Sequence, residues 1–455
     1  MALLLLSGTA AFPQQKVWSL EECIRYAIDN NIQIKQQVIQ TEYQQNVLDL
    51  AKLKLLPTLN GQASHNYSFG RALDQTTYQY TEHQNVQSSN FYAGGNLSLF
   101  KGLQNYNSIQ KSKYDLLSSD QDLNAIKDNI SLTVALDYLQ ILLNKELVKS
   151  TADQVSITKQ QIEKTRKMVD AGSVARGNLL QIESQAAQED LQLINLQNQL
   201  DISYLNITQL LELKTPAGFE ISVPEIQVDT NSVIDGNVDG IFETAVGTRS
   251  EVKSSEFKLR SSEYSLKIAQ GSRSPQLSLS HSFSSGYSSI RKKLLGYDMS
   301  SGTPVPQYGP YSFLDQVNDN ISYGIGFSLS IPILNGWQVN KNISNSKLDI
   351  QNSQYALEAT KKNLYKSIQQ SYADAVAALK KYGASVKAVT SAEESFRYTE
   401  QKFNVGMVAP VDYNAAKTTL LKAQSDLSQA KYEFIFKTKV LDFYKGLPLN
   451  LNLNK

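Results

Sequence analysis

The sequence predicts a mixed α and β membrane protein, built as an internal two-fold repeat of paired β-strands and long coiled-coil helical hairpins. Three observations predict it: a repeat at a fixed offset, two long stretches free of helix breakers, and four islands of alternating apolar and small polar residues. Composition removes several other classes. With 44 basic and 43 acidic side chains among 455 residues, the net charge of +1 leaves no basic field for nucleic acid. One cysteine cannot close an intramolecular disulfide, and three scattered histidines build no His/Cys metal cage, so neither a metal nor a cofactor is expected. No run of 18 apolar residues is present, which excludes a transmembrane helix and leaves a membrane β-barrel open, because barrel strands hide from hydropathy averages.

The elements follow in order. Residues 1–15 carry no charge, hold the apolar run 3–6 and continue into Gly8, Ala10 and Ala11, which reads as the remnant of a signal peptide. Cys23 lies within an amphipathic segment and reads as an ordinary helix residue. Amphipathic helices are expected over residues 20–56 and 241–273, the second stopping near Pro275. Aligning Gly102 with Gly336 sets Ser112-Lys113-Tyr114-Asp115 against Ser346-Lys347-Leu348-Asp349 and Gly172 against Gly406, all at an offset of 234 residues. Residues 103–171 contain neither Gly nor Pro, and residues 337–405 contain only Gly383. Each stretch predicts one helix of roughly 100 Å at the standard rise. Apolar residues recur at spacings of three and four, as in Leu123, Ile126, Ile130 and Val134 or Leu196, Leu200, Ile207 and Leu210, which is the pattern of coiled-coil packing. Glycine turns at Gly172 and Gly406 then lead into shorter helices over 178–213 and 410–445, closing two helical hairpins. The domain plan is therefore a first repeat at 16–217, a linker at 218–240, a second repeat at 241–446 and a tail at 447–455.

Four strands are expected. Leu59, Gly61, Ala63, His65, Tyr67 and Phe69 alternate with Asn60, Gln62, Ser64, Asn66 and Ser68; Leu277, Leu279, His281 and Phe283 alternate with serines and Gln276. The clearest island alternates Ile321, Tyr323, Ile325, Phe327, Leu329, Ile331 and Ile333 with small residues. A weaker strand covers 91–100, with Phe91, Ala93, Leu97 and Leu99 on one face. Apolar on one face and small polar on the other suits lipid outside and water inside, although a half-buried soluble sheet shows the same alternation. Four strands cannot close a barrel and an open edge is not tolerated in lipid, so several chains must share one. The segments 70–84 and 288–318, rich in Tyr, Gly, Ser and Pro, are expected as outward loops.

The two-fold repeat, the strand starts Leu56-Pro57-Thr58-Leu59 and Ser274-Pro275-Gln276-Leu277, and the turns Gly172-Ser173-Val174-Ala175 and Gly406-Met407-Val408-Ala409-Pro410-Val411-Asp412 resemble the TolC family of outer-membrane efflux proteins. The resemblance covers residues 18 to 446 and rests on the ordered combination, since no single motif is specific. It implies a homotrimer whose four strands per chain make a 12-stranded β-barrel in outer-membrane lipid, continuing into a long periplasmic α-helical barrel. It also implies an exit duct that works with a periplasmic adaptor (membrane fusion) protein and an inner-membrane transporter. A type I protein-secretion outlet shares that architecture, and a coiled-coil scaffold or adhesin without a pore is the alternative of a different class.

By the same resemblance the entrance constriction lies at the hairpin tips. The family's acid six residues after the turn glycine is matched by Asp412 in the second repeat and replaced by Asn178 in the first. Its further acid is Ala415 here, its tyrosine is Phe403 and its arginine is Val408, so much of the family's latch is missing. The expectation is a constriction carrying a ring of Asp412, with Asn178 at the equivalent place and Phe403 closing by packing. An acid in the first turn of a helix also stabilises the helix dipole by about 0.3–1 kcal/mol, and both roles stay open. Gly172, Ser173, Val174, Val405, Gly406, Met407 and Val408 match the family's adaptor-docking tips, although turn geometry alone also explains the glycines. Val174, Met407 and Val408 are expected to be exposed there. Catalysis is not expected: His65, His83 and His281 have no nucleophile beside them in the sequence, and no Gly-rich phosphate loop is present.

Overall fold

Helix lengths match between the two halves of the chain wherever the sequence repeats, while strand lengths differ. The computed structural model describes residues 17–74, 78–80, 84–224, 234 and 237–450, so the signal-peptide remnant, His83 and parts of the linker and tail lie outside the described residues. The first half runs β1 (Val17–Trp18), α1 (Leu20–Asn30), α2 (Ile32–Leu53), β2 (Asn60–Gly70), β3 (Gln84–Lys101), α3 (Gln104–Asp170), α4 (Arg176–Leu210) and β4 (Glu220–Ile221). The second runs α5 (Val238–Thr248), α6 (Ser250–Gly271), β5 (Gln276–Ser288), β6 (Lys293–Asp298), β7 (Val305–Gly309), α7 (Phe313–Asp319), β8 (Ser322–Ser330), α8 (Gln338–Asn404) and α9 (Pro410–Tyr444). Both long helices have 67 residues and both shorter partners have 35. The chain divides into two compact units. One comprises Met1–Glu42, Ser118–Glu256 and Tyr355–Lys455; the other comprises Tyr43–Leu117 and Phe257–Gln354.

The helical unit corrects the two leading helices. Each was expected to be continuous, and each breaks after 11 residues, at Asn31 and at Arg249. The break residues take extended backbone angles and tie the chain to the end of a descending helix. Asn31 donates from its amide to the Leu210 carbonyl at 3.1 Å, while its oxygen accepts from the Gln33 N–H and starts α2. Arg249 donates to the Phe443 carbonyl at 3.4 Å and lies over the Phe443 ring, with Asp128 as its ion-pair partner. Burial holds the Asp128 carboxyl above its usual range, against the pull of Arg249. Long-range capping of this kind leaves no mark in hydrophobic periodicity.

A short parallel pair that the sequence did not announce, β1 with β4, joins the first turns to the linker. Ser19 and Glu22 form a reciprocal capping box at the start of α1. Behind it, Cys23, Ala27, Val134, Tyr138, Ile141 and Ile207 form a core in which the Cys23 thiol is simply buried. Tyr138, fully buried, donates its hydroxyl to the Ser222 carbonyl at 2.7 Å. Burial pushes its pKa up to about 12 from the ordinary 10.0. An acid whose folded pKa is raised contributes stability that is complete below the unfolded value and lost as pH rises toward the folded one. Stability is therefore expected to fall between pH 10.0 and about 12, and Tyr138→Phe to flatten part of that fall in thermal melts followed by circular dichroism.

The other unit holds a four-stranded antiparallel sheet in the order β2-β3-β5-β8. Register places Ala63 opposite Phe91, Phe91 opposite Ser285, Ala93 opposite Phe283 and Phe283 opposite Tyr323, so odd-numbered residues of all four strands share one face. That face carries exposed Phe69, Tyr323, Ile325 and Phe327, each more than 70% accessible, while the even face is Ser, Asn, Gln and Gly apart from Val86, Tyr92 and, past the bulge, Lys101. The weakest expected strand is the longest: β3 has 18 residues and is paired on both sides. Its alternation fails at a bulge between Ser98 and Phe100, which takes Leu99 out of register and sets Phe100 opposite Leu277. The last strand stops at Ser330, before Pro332, short of the expected Ile331 and Ile333. The expected second outward loop instead contains the hairpin β6–β7 and the helix α7. Both edges of the sheet, β2 and β8, lack a neighbour among the described residues. No helix among those residues is long and apolar enough to cross a membrane.

Candidate functional site at the hairpin tips

Both hairpins turn by the same hydrogen bonds. Gly172 and Gly406 adopt φ of +72° and +78°, a conformation that costs a non-glycine residue about 1–2 kcal/mol. The N–H of the following residue reaches back to the Met168 carbonyl in the first turn and the Lys402 carbonyl in the second, both at 2.9 Å. These are Schellman caps, which explains why glycine stands at both places. In the first turn the Ser173 hydroxyl adds a second bond to the Met168 carbonyl at 2.8 Å.

The two tips share a groove of about 430 Å³. Val174, Asn178, Phe403, Gly406, Met407 and Val408 all line it, whereas Asp412, Gly172, Ser173 and Val405 do not. Lys164 bridges the hairpins at its rim by donating to the Asn404 side-chain oxygen at 3.2 Å. Val174 and Val408, expected to be exposed, are half-buried because they turn into this groove; Met407 at 79% and Val405 at 69% are exposed. Phe403 stacks on Tyr413 with ring centroids 4.5 Å apart, and Phe396 abuts the same tyrosine. Burial raises the Tyr413 pKa, keeping it a neutral packing partner. Asp412 is exposed in the first turn of α9, its N–H bonded to the Ala409 carbonyl at 3.1 Å.

Above the tips lies a feature that sequence reasoning missed. Thr158 on α3, Glu189 on α4 and Lys417 on α9 form a buried triad, with accessibilities of 2%, 6% and 4%. The Lys417 ammonium donates to the Thr158 hydroxyl at 2.5 Å and lies 3.5 Å from the Glu189 carboxylate. The Thr158 hydroxyl donates in turn to Glu189, whose other oxygen accepts from Gln185 at 3.1 Å. Burial holds Lys417 below its usual pKa, with Glu189 pulling the other way. The triad thus ties the second hairpin to both helices of the first. Each residue sits on an unremarkable polar stretch of its own helix, so only the packing reveals it.

His65 and His281 lie on the sheet, His65 beside the Ser89 hydroxyl at 2.8 Å, and no group of three or more metal-binding side chains occurs among the described residues.

The outer membrane efflux protein family profile matches residues 23–212 and 242–436. The chain belongs to that family. The unmatched stretch between the two segments holds the linker around β4. Outer membrane protein TolC of Escherichia coli is 22% identical over 444 residues, covering 94% of this chain and 82% of TolC. Among solved structures, the outer membrane protein VceC of Vibrio cholerae superposes with a TM-score of 0.74 at 16% identity, covering 94% of this chain and 96% of VceC. The open-state MtrE channel of Neisseria gonorrhoeae does so at 0.73 and 16%, covering 96% and 91%. As an outer membrane efflux protein the chain is an outer-membrane channel that extends into the periplasm, and its relatives are channels, not enzymes. An exposed apolar sheet face suits contact with lipid in an outer-membrane channel.

Proposed function

We propose that three copies of this efflux protein close one 12-stranded barrel and form the passive exit duct of a tripartite pump, docked at its tips to a periplasmic adaptor and through it to an inner-membrane transporter. The observation that carries the proposal is the sheet itself. Its outer face is apolar, its inner face is mostly small and polar, and both edge strands lack neighbours among the described residues, which lipid does not tolerate in a single chain. Pairing β8 of one copy with β2 of the next satisfies the edges and encloses a polar lumen. Planar-bilayer conductance of the detergent-purified protein, with oligomer mass taken on the same sample, tests this. A trimer giving small, long-lived steps is expected; a monomer, or an oligomer that never enters the bilayer, would refute it.

The tips divide the remaining work. Exposed Val405 and Met407 present apolar surface to the adaptor, with Gly172, Ser173 and Gly406 shaping the turns and Val174 and Val408 supporting them from the groove. Repeated by three-fold symmetry, exposed Asp412 makes an acidic ring at the entrance, while Phe403 packs on Tyr413 within the second hairpin and, with Asn178, lines the groove between the two hairpins behind it. Asp412→Ala is expected to weaken cation preference and block by multivalent cations in single-channel records. Polar substitution of Met407 is expected to reduce crosslinking to the adaptor while leaving conductance unchanged. If Asp412→Ala channels keep the parent's selectivity and block, the acid serves the helix terminus alone.

A further inference from the structure

The connection between β5 and β8 is longer than its counterpart between β2 and β3, and it folds back onto the sheet. Gln316 of α7 is fully buried and locks the helix down: its amide donates to the Ser288 and Tyr311 carbonyls at 3.0 and 2.9 Å, and its oxygen accepts from the Ser288 N–H at 2.9 Å. Asn320 donates to the Gly286 carbonyl at 2.6 Å, and the Ser285 hydroxyl donates to the Val317 carbonyl at 2.5 Å. The Phe313 ring rests on Tyr287 at 5.0 Å and near Phe91 at 6.3 Å. Phe91, Ser285 and Tyr287 are odd-numbered and stand on the lipid-facing side of the sheet. The helix therefore lies outside the strands instead of over the polar face.

Its height follows from the strand. From Leu277 to Tyr287 the chain advances ten residues, about 33 Å of strand, which at the tilt of barrel strands spans roughly 25 Å along the barrel axis, the height of an apolar membrane band. Phe313 packs at the upper margin of that band. Its neighbour Leu314 is 71% exposed, while the nearby charges hold the loop together: Lys293 lies 3.7 Å from Asp319, and Arg291 donates to the Asn320 oxygen at 2.7 Å. The helix covers β3 and β5, the two central strands, and so stands away from the edges where another copy pairs.

We propose that α7 is a lipid-contacting collar, with Leu314 seated at the boundary between headgroups and acyl chains of the outer leaflet. An apolar side chain beside aromatic rings at a membrane margin is the composition of an interfacial anchor. The collar extends the lipid surface of the channel beyond its strands.

The test uses the full-length protein reconstituted into phosphatidylcholine vesicles whose acyl chains carry bromine near the headgroup, a short-range quencher of tryptophan. Leu314→Trp is compared with Ser300→Trp on the β6–β7 turn, after subtracting the emission of the parent protein, which carries Trp18 and Trp337. The Leu314→Trp emission is expected to drop to half or less of its value in unbrominated vesicles, with Ser300→Trp unaffected. Both variants must first match the parent in oligomer mass, and Leu314→Phe/Phe313→Trp serves as the replacement should Leu314→Trp fail to assemble. Equal, weak quenching at both positions would overturn the collar. So would a blue-shifted but unquenched Leu314→Trp, which would mean that protein from another copy covers the helix.

Discussion

Lys417→Met is expected to destabilise the tip region by about 3–5 kcal/mol, the range for removing one partner of a buried ion pair. The substitution leaves Glu189 at 6% accessibility with no cation beside it, and it removes the donor that the Thr158 hydroxyl accepts. The double variant Lys417→Met/Glu189→Leu is expected to recover most of the loss, because a well-packed apolar pair is often as stable as the ions it replaces. Thermal melts with limited proteolysis at the hairpins measure both, and a single variant as stable as the parent would show the triad to be energetically idle. The pH response has a definite sign. Lys417 has a folded pKa below its unfolded 10.5, so the unfolded chain binds the proton more readily in that window and the parent gains stability as pH rises through it. The gap to the Lys417→Met variant should widen there.

Gly95→Ala is expected to prevent assembly of the sheet. Glycine is required at this position by close approach: the segment entering β2 crosses directly over it, with the Thr58 N–H bonded to the Asn96 carbonyl at 3.0 Å, and an added methyl group would overlap the Thr58 carbonyl. Backbone on both sides leaves nothing that can rotate away, so the cost should exceed the ~1–3 kcal/mol typical of overpacking by side chains. Gly61→Ala, whose added methyl meets nothing within 4 Å, is the matched control. Membrane-fraction yield and oligomer mass should collapse for Gly95→Ala and stay at parental levels for Gly61→Ala. Normal assembly of Gly95→Ala would mean that the strand entry is looser than its hydrogen bonds indicate.

Much of the architecture was legible because it is written in local repetition. A stretch of 69 residues without Gly or Pro produced α3, and its copy 234 residues later produced α8, each boundary two residues from the flanking glycine. The glycines at 172 and 406 announced the turns, since the Schellman cap demands a residue at ease with positive φ. The interruptions at Asn31 and Arg249 were not legible. A polar residue inside an amphipathic run reads as a solvent-facing position, and only its distant partners, Leu210 and Phe443, turn it into a hinge.

At the tips the family resemblance pointed to Asp412, Asn178 and Phe403, but accessibility did not follow from residue type. Val174 and Val408 looked like exposed apolar tips and are drawn into a groove by the neighbouring hairpin. Glu189 and Lys417 lie 228 residues apart in sequence, and each is an ordinary helix charge until α4 and α9 pack together.

The sequence by itself determined what depends on neighbours a few residues away: the two-fold repeat, the lengths of the long helices, the glycine turns and the two-faced alternation of the strands. These follow from backbone sterics and from periods of 2.0 and 3.6 residues, which operate within one or two turns of chain. Tertiary structure alone decided the breaks in the leading helices, the bulge at Leu99, the placement of α7 on the odd-numbered face of the sheet and the buried triad. Each of those depends on a hydrogen bond, ring contact or charge contributed by a distant element, and its energy exists only once the two are brought together.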